Sequence, residues 1–545
     1  MFARRLLLAV ACVALAACTR TAQTTGGRHS WTQPGVLRIA NLSEPDTLDP
    51  AVGSEQIEID LSWLWGAYLT TYDADGNLVP ELATRVPSAA NGDLSADGRR
   101  VVYHLRPGVK WHDGVPFTAA DVVFSLHAVL DPKNNVATRT GFDRVDRIVA
   151  RDPQTVEVDL KRPYAPFLST FFSLASASAI PLLPKHLLGS LPDINRAAYN
   201  AKPVGTGPFV VREWHRGSAI VFDANPSYWR GAPKLRRIVY HPIPDENTIL
   251  TQLRTHEIDL YYNAPAEQVA TLRSLPDVKT LLTPFAEYAL LGINENSPEL
   301  SDVRVRQALV YALDRERIAA DVTHGVGTVS PAVADQPGSS WARATGLSPY
   351  GYDPARARSL LDAAGWHAGP DGIRTKGGRR LSIVMASSTG SAVGSTTLVL
   401  VQRAWHDVGI DAEVKLYVTS RYFASYGESG IIQRDLFDVA FYRWVAGTDP
   451  DDETLFGCAE VPPAGQNVFH FCDAGADAAQ RVALGSFDRT VRTRAYGTIQ
   501  RALDAQVPFV PMWFDRRIDA LNDDLKGYRT GHAVTTFTAP YDWQI

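Results

Sequence analysis

The residues with the clearest potential for chemistry form one acidic run. It contains Asp449, Asp451, Asp452 and Glu453. Neighbouring carboxylates can act as general acid and general base in hydrolysis. However, no Gly-x-Ser-x-Gly elbow, His-Glu-x-x-His helix, Ser-x-x-Lys pair or Cys-His pair stands out in the chain. Because acidic runs are usually solvated, we predict a solvated loop, and an exported hydrolase remains an alternative.

Two further groups have residue types found in metal or phosphate sites. His104, His112 and Asp113 are potential metal ligands, but histidine beside a turn aspartate is more typical of a surface hydrogen bond. Gly205-Thr206-Gly207-Pro208 is glycine-rich, yet it lacks a following Gly-Lys-Ser/Thr and precedes an extended Phe-Val-Val run. It therefore predicts a tight turn. We expect no catalytic residue, no metal and no cofactor.

The first 17 residues have the pattern of a secretion signal. Arg4 and Arg5 precede a short apolar segment, Leu6 to Leu15. The following Leu15-Ala16-Ala17-Cys18 is similar to a bacterial lipobox, which implies cleavage before Cys18 and a diacylglycerol on its sulfur. A plain secretory signal is the alternative. We expect the mature chain to be exported and attached to a bacterial membrane through this lipid anchor only.

Four cysteines are present, and two of them have roles at the N-terminus. Cys12 leaves with the signal and Cys18 is the lipidation site. Cys458 and Cys472 remain as a pair in an oxidising compartment, which predicts a disulfide that closes a short loop. A metal pair with His470 is the alternative.

Composition sets limits on the class of protein. The chain has 545 residues, of which 45% are hydrophobic and 21% are charged. This composition is typical of a globular protein with an ample core, and the length suggests three or four domains or lobes. Loss of Arg4 and Arg5 with the signal changes the formal net charge from −5 to −7. Such a balance argues against nucleic acid as a partner, because a phosphate backbone requires clustered Lys and Arg.

The mature chain predicts alternating strands and helices. Residues 18–35 are polar, which indicates a flexible tether before a strand at Val36–Ala40. Thr118 and Asp121 resemble a capping box, and Asp353-Pro354 marks another helix start. Further strands are predicted near Leu381–Met385, Ala412–Leu416 and Phe437–Phe441. The mixture predicts an α/β protein.

Ordered motifs give a more specific interpretation. They are Ser95-Ala96-Asp97-Gly98, Tyr103 to Gly114, Phe117 to Val122, Gly205 to Phe209, Asn225 to Trp229, Glu257-Ile258-Asp259, Val303 to Ala308 with Asp314, and Tyr352-Asp353-Pro354. In number and order these resemble bacterial extracellular solute-binding proteins of family 5, the dipeptide and oligopeptide binders of ABC importers. The resemblance covers about Leu37 to Tyr528.

The resemblance implies a fold and a division of the chain. The expected fold is a large type II periplasmic-binding-protein-like fold, in which two α/β lobes joined by a hinge close on a ligand. The first lobe is expected at 36–285, with an extra subdomain at 71–204. The second lobe is expected at 286–514, and 515–545 return to the first. The crossing segments are expected near Tyr288–Asn294 and Pro508–Phe514.

The resemblance also implies a ligand loop after a strand that ends in tryptophan, here Trp444. Peptide binders of the family usually have an aspartate three residues later, which pairs with the ligand ammonium, but this chain has Gly447 there. Asp449 belongs to the next Asp-Pro step and is a substitute candidate. Dipeptide binders also use an upstream arginine, whereas Ala386 to Leu400 contains no arginine or lysine. Absence of both clamps argues against strict recognition of free dipeptides, because unpaired buried charge is costly.

Aromatic residues and one carboxylate complete the expected ligand site. Residues in segments that the family places near the cleft are Trp65, Tyr68, Tyr288, Tyr442 and Trp444. Clefts use such rings for apolar contact, although core packing is the alternative for each ring. Glu44 on the rim of the first lobe is a candidate partner for a cationic ligand group.

The function implied by the resemblance is binding, without catalysis. We expect a monomeric receptor, periplasmic or at the cell surface, that delivers a peptide or peptide-like solute to ABC permease subunits with cytoplasmic ATPases. Uptake or sensing of a non-peptide solute, such as a sugar or an opine, is the alternative. The sequence does not identify the ligand or the membrane that holds the lipid.

Overall fold

The computed structural model describes residues 28–545 except 54, 74–76, 175–178, 335–339 and 531–536. The predicted signal at 1–17, Cys18 and the first part of the tether lie outside the described residues. The strands are β1 (Val36–Asn41), β2 (Thr70–Tyr72), β3 (Leu78–Pro80), β4 (Arg100–His104), β5 (Val145–Asp152), β6 (Thr155–Leu160), β7 (Phe209–His215), β8 (Ala219–Ala224), β9 (Arg237–Pro242), β10 (Leu260–Tyr261), β11 (Val278–Ile293), β12 (His367–Ala368), β13 (Arg374–Lys376), β14 (Arg379–Arg380), β15 (Ser382–Ser388), β16 (Asp411–Tyr417), β17 (Val439–Val445) and β18 (Phe509–Asn522).

Helices lie between these strands. They are α1 (Gln56–Trp65), α2 (Ala119–Leu130), α3 (Phe167–Thr170), α4 (Lys185–Leu188), α5 (Glu246–Arg254), α6 (Val269–Ser274), α7 (Val303–Tyr311), α8 (Arg315–Val322), α9 (Pro354–Ala363), α10 (Ala392–His406), α11 (Thr419–Tyr422), α12 (Glu453–Phe456), α13 (Ala474–Gly485) and α14 (Arg489–Gln506). No helix in the described part of the chain is both long and apolar enough to cross a membrane.

One sheet runs through both halves of the protein. Its strand order within the described residues is β16-β15-β17-β11-β18-β10-β1-β9-β8-β7. β11 and β18 are long antiparallel strands. They pair over two stretches. The first joins Val278–Pro284 to Arg516–Asn522, and the second joins Tyr288–Gly292 to Phe509–Phe514. These two strands therefore connect the two α/β lobes.

Buried side chains form separate cores on either side of these strands. Two clusters, around Leu37 and around Ile249, hold the first lobe together. Two others, around Leu309 and around Phe456, hold the second. The mixed α/β architecture is the one predicted, while the residue boundaries of the lobes and of the 71–204 subdomain remain proposals.

Local capping signals confirm the two predicted helix starts, at Thr118 and at Asp353, and a third cap is present at Asp302. Thr118 and Asp121 form the capping box of α2. Asp302 caps α7, and Asp353 caps α9 by accepting a hydrogen bond from the Arg356 N–H at 2.9 Å. The strand predicted at Phe437–Phe441 is displaced, because β17 continues to Val445.

The segment before β1 is bound to the first lobe, contrary to the flexible tether predicted for all of 18–35. The Trp31 ring stacks between His29 and His256, with centroid distances of 4.8 Å and 3.7 Å. The Thr32 hydroxyl donates to the Asp524 carboxylate at 2.6 Å. An aromatic stack and a buried hydrogen bond of this kind restrain the chain. The prediction of a flexible tether therefore remains only for residues 18–27, which lie outside the described part of the chain.

The glycine-rich Gly205–Pro208 segment, predicted as a tight turn, is a bend against the end of α1, where the Gly207 N–H donates to the Trp65 carbonyl oxygen at 2.9 Å. A Cβ at Gly205 would lie 1.8 Å from the Trp65 carbonyl oxygen, so only glycine fits there. His112 holds this bend. Its Nδ1 accepts from the Gly205 N–H at 3.1 Å, and its Nε2 lies 3.0 Å from the Gly207 carbonyl oxygen. Burial lowers the pKa of His112 to about 4, which matches its role as a neutral clamp.

Lowering the pH from about 7 to about 5 is expected to destabilise the wild-type protein more than a His112→Gln variant. The pKa of this histidine is 6.5 in the unfolded chain and about 4 in the fold. Between these values the unfolded state binds the extra proton, so the contribution of His112 is present above about 6.5 and lost as pH falls. Thermal unfolding of both proteins at the two pH values measures the difference. Equal pH dependence of stability in the two proteins would show that His112 is not held neutral in the fold.

Candidate functional site

The cleft lies where the two long strands cross between the lobes. Pairing of β11 with β18 is irregular there: Pro284 pairs with Arg516 and Tyr288 pairs with Phe514. Between these two pairs β11 has three residues, Phe285, Ala286 and Glu287, whereas β18 has a single residue, Asp515. Such irregularities redirect side chains and increase local twist. They place Glu287 and Asp515 next to each other.

One face of the crossing strands is aromatic. Tyr288 pairs with Trp444 of β17, and its ring meets Phe514 edge-on at a centroid distance of 6.2 Å. Tyr288 and Tyr442 are buried in the core of the second lobe, whereas Trp444 is only half-buried at the margin of that core. Of these three predicted ligand contacts, Trp444 alone has a partly exposed ring.

The opposite face is charged, because consecutive residues of a strand point to opposite sides. Arg443 Nη1 lies 3.5 Å from Glu287, and Arg443 Nη2 lies 3.4 Å from Asp515. Burial raises the pKa of Glu287 to about 7 and raises the pKa of Asp515 above its usual range. A cavity of about 280 Å³ opens beside these three residues.

Strand β17 has a partly unpaired edge at the cleft. Among the described residues, its pairing with β15 covers Val439 and Ala440 alone, while its pairing with β11 continues to Val445. The Tyr422 hydroxyl lies 2.9 Å from the Phe441 carbonyl oxygen and 3.0 Å from that of Ala386 on β15. The Phe441 carbonyl therefore faces the β15 side. Because of strand alternation, the N–H and carbonyl groups of Val445, four residues later, point to the same side.

The loop after β17 is held by the second lobe. The Asp449 Oδ1 atom accepts hydrogen bonds from Arg492 at 2.5 Å and from the Tyr496 hydroxyl at 3.2 Å. The predicted substitute for the ammonium clamp is therefore already paired inside the protein. Gly447 lies two residues earlier, and a Cβ there would approach the Asp449 carbonyl oxygen to 2.9 Å. A larger residue at this position would disturb the loop.

The acidic run contacts the other lobe, so the prediction of a solvated loop is wrong. The Tyr164 hydroxyl donates to Asp451 Oδ2 at 2.5 Å, and burial raises the pKa of Asp451 to about 6. Two further contacts cross at the same place: Arg144 to Glu453 at 3.7 Å and the Ala165 N–H to the Leu484 carbonyl oxygen at 2.7 Å. We call these three contacts the latch.

The remaining predicted ligand contacts on the first lobe are buried in its core or hydrogen-bonded to protein groups. Tyr68 is buried in the first core, and its hydroxyl lies 2.6 Å from the Ser62 hydroxyl. Trp65 is also buried in that core. Glu44 accepts hydrogen bonds from the Trp214 indole at 3.1 Å and from the Gly217 N–H at 2.8 Å. The structure does not bring Tyr68 or Glu44 to the crossing strands.

Cys458 and Cys472 form the predicted disulfide. The alternative metal pair with His470 is therefore wrong, and His470 instead contacts Asp435 at 2.9 Å. Within the described residues, no group of three or more His, Cys, Asp or Glu side chains is arranged to hold a metal. Cys18, the predicted lipidation site, lies outside the described part of the chain.

Sequence reasoning missed three charged residues at the cleft, Glu287, Arg443 and Asp515. Each lies directly beside a residue that was predicted to border the cleft or the crossing segments. Alternation along a strand was the signal that could have identified them, since it turns the neighbour of each aromatic residue to the opposite face.

Two α/β lobes, two crossing strands and a cavity between them define the class of two-lobed periplasmic binding proteins. A family model described as bacterial extracellular solute-binding proteins, family 5 Middle, matches residues 77–460. The chain belongs to this family, which consists of solute-binding proteins and not of enzymes, and whose members are periplasmic or extracellular.

Relatives and solved structures agree with this assignment. The oligopeptide-binding protein AppA of Bacillus subtilis is 26% identical over 96% of this chain and 95% of its own length. Di/tripeptide-binding protein 2 of Pseudomonas aeruginosa is 29% identical over 91% and 93%. The structure of AppA with a nonapeptide covers 94% of this chain and 99% of its own, with a TM-score of 0.72 and 26% identity. NikZ of Campylobacter jejuni in complex with Ni(L-His) covers 94% and 100%, with a TM-score of 0.75 and 27% identity.

Proposed function

We propose that this protein is a monomeric, lipid-anchored receptor that captures peptides between its lobes and delivers them to the permease of an ABC importer. In this proposal Cys18 carries the lipid, and the mature protein works in the periplasm or at the cell surface. Relatives named for oligopeptide and di/tripeptide binding support peptides as the ligand class.

The observation that carries the proposal is the unpaired edge of β17. An extended peptide can add to such an edge as a further strand, with main-chain hydrogen bonds that do not depend on peptide sequence. The Ala446 N–H bonds to the Ala286 carbonyl oxygen on the β11 side, so the Val445 N–H faces the free edge. Trp444 lies beside this edge and is half-buried.

This mode of binding fits the internal pairing of Asp449. Without a free ammonium clamp, the site obtains little binding free energy from a small zwitterion. Main-chain pairing, in contrast, adds binding free energy with each peptide group that it orders. We therefore propose that peptides longer than dipeptides are preferred.

Titration calorimetry with alanine-based di-, tri- and nonapeptides tests the function. We expect the tri- and nonapeptides to bind more tightly than the dipeptide, without hydrolysis. A Val445→Pro variant removes the N–H at the free edge, and proline is tolerated where a strand N–H has no ladder partner. It should weaken binding about tenfold, whereas the matched Val445→Ala variant keeps the N–H and should bind nearly normally.

Failure of all three peptides to bind in the calorimeter would contradict the proposal. Binding of a sugar or an opine in the same assay would favour the alternative solute. Equal affinities of Val445→Pro and Val445→Ala would remove the strand edge from the site.

A further inference from the structure

We propose that the cavity beside the crossing strands is a subsite for a cationic group of the ligand, an ammonium or a guanidinium, held by Glu287 and Asp515. The inference rests on the proposed peptide-binding function and adds a charge preference to it. We refer to Glu287 and Asp515 as the hinge acid pair.

The position of the cavity links it to the cleft, because both lobes form its walls. On one side lie residues 263–267, Phe285 and 516–518 of the first lobe. On the other lie Val322, Thr323, Val326, Gly327 and Val393 of the second lobe. A group bound between such walls contacts both lobes, so its binding favours the closed arrangement.

The hinge acid pair has too few positive partners. Both carboxylates share one guanidinium, that of Arg443, at 3.5 Å and 3.4 Å. Asp515 Oδ1 also accepts from the Trp513 indole at 3.1 Å. Its Oδ2 is buried without a hydrogen-bond partner in the described part of the chain. A ligand donor placed in the cavity would satisfy this buried acceptor.

Other charged residues around the cavity do not change this balance. Arg517 has its own buried acid, Asp519, at 3.7 Å. Glu267 and Arg516, which also line the cavity, have opposite charges. The lining itself has three acids and three bases. With Arg517 assigned to Asp519, which lies outside the lining, the remaining residues have one more acid than base, and the excess lies in the hinge acid pair.

The protonation tendency of the pair agrees with this balance. Burial raises the pKa of both carboxyl groups, and Arg443 opposes that rise for each. A second cation in the cavity would stabilise both carboxylates by charge-assisted hydrogen bonds. Arg443 is 42% exposed, so it can turn toward solvent and leave room for the ligand group.

Peptides that differ in one charge test the proposal. The probes are alanine tripeptides with lysine, norleucine or glutamate at each position in turn, since norleucine retains the lysine chain without the ammonium. At one position we expect the lysine peptide to bind about tenfold more tightly than the norleucine peptide, which gives a lysine-to-norleucine affinity ratio of about ten. Glu287→Gln and Asp515→Asn should each reduce this ratio, and the double variant should bring it near one. A Glu413→Gln variant, on an exposed carboxylate of β16, should keep it.

A further variant tests the pair without removing an acid. Arg443→Gln should increase the lysine-to-norleucine ratio, because both carboxylates then depend on the ligand for charge. Tight binding of all peptides without a lysine preference at any position would overturn the subsite and leave the proposed function intact. A glutamate preference would overturn it in favour of Arg443 as the ligand contact. No binding of any peptide would instead contradict the proposed function.

Discussion

Replacing Arg492 with alanine is expected to lower the free energy of unfolding by about 3 kcal/mol. The Arg492 side chain is 10% exposed and lies 2.5 Å from Asp449, which is 13% exposed. It also donates to the Ala483 carbonyl oxygen at 3.0 Å. Arg492 thus ties α14 to α13 and to the loop after β17. Removal of one partner of a buried ion pair leaves an uncompensated charge, and that cost exceeds the net contribution of the intact pair.

The matched control is Arg489→Ala. Arg489 lies on the same helix and is exposed, with its guanidinium 4.8 Å from the Trp341 ring centroid. Its loss should cost less than about 1 kcal/mol. Urea denaturation followed by tryptophan fluorescence compares the variants. An Arg492→Ala/Asp449→Asn double variant should recover part of the loss, because no lone charge remains. Equal midpoints for Arg492→Ala and Arg489→Ala would show that the ion pair contributes nothing.

Removing the hydroxyl of Tyr164 is expected to weaken peptide binding by about 5-fold to 150-fold. In the latch this hydroxyl donates to Asp451, whose carboxylate is buried between the lobes. A Tyr164→Phe variant leaves Asp451 Oδ2 without that donor in the closed arrangement, which costs about 1 to 3 kcal/mol. In an open arrangement water replaces the donor. The equilibrium therefore shifts toward the open state, and the apparent affinity falls in proportion to the closed fraction.

Two measurements separate this effect from loss of folding. Calorimetry with the nonapeptide gives the dissociation constant, and small-angle scattering of the ligand-free protein should show a larger radius of gyration for Tyr164→Phe. Tyr352→Phe is the control, because Tyr352 is 58% exposed. Unchanged affinity together with an unchanged radius would remove Tyr164 from the closure equilibrium.

Local patterns were predicted well because their causes are local. Thr118 caps α2 through Asp121 three residues later, and Asp353 caps α9 through an N–H three residues later. Cysteine count and compartment were enough for the Cys458–Cys472 disulfide. The order of motifs, which needs no coordinates, was enough to identify the family.

Burial was the property that the sequence predicted least well, because it depends on distant parts of the chain. The acidic run has the composition of a solvated loop, yet Tyr164 reaches it from 287 positions away. Asp449 was a candidate for the clamp of the ligand ammonium, but its carboxylate accepts a hydrogen bond from Arg492, 43 positions later in the chain. Tyr68 was expected at the cleft, but its ring is enclosed by the core of the first lobe.

The sequence by itself determined the family, the α/β class, the helix caps and the disulfide, since each depends on neighbouring residues or on the order of motifs. Only the tertiary structure decided which charges face the cavity beside the crossing strands. Glu287 and Asp515 are far apart in the chain, and antiparallel pairing of β11 with β18 places them side by side. Electrostatic interactions depend on distance in space and on burial, and neither can be read from separation along the chain.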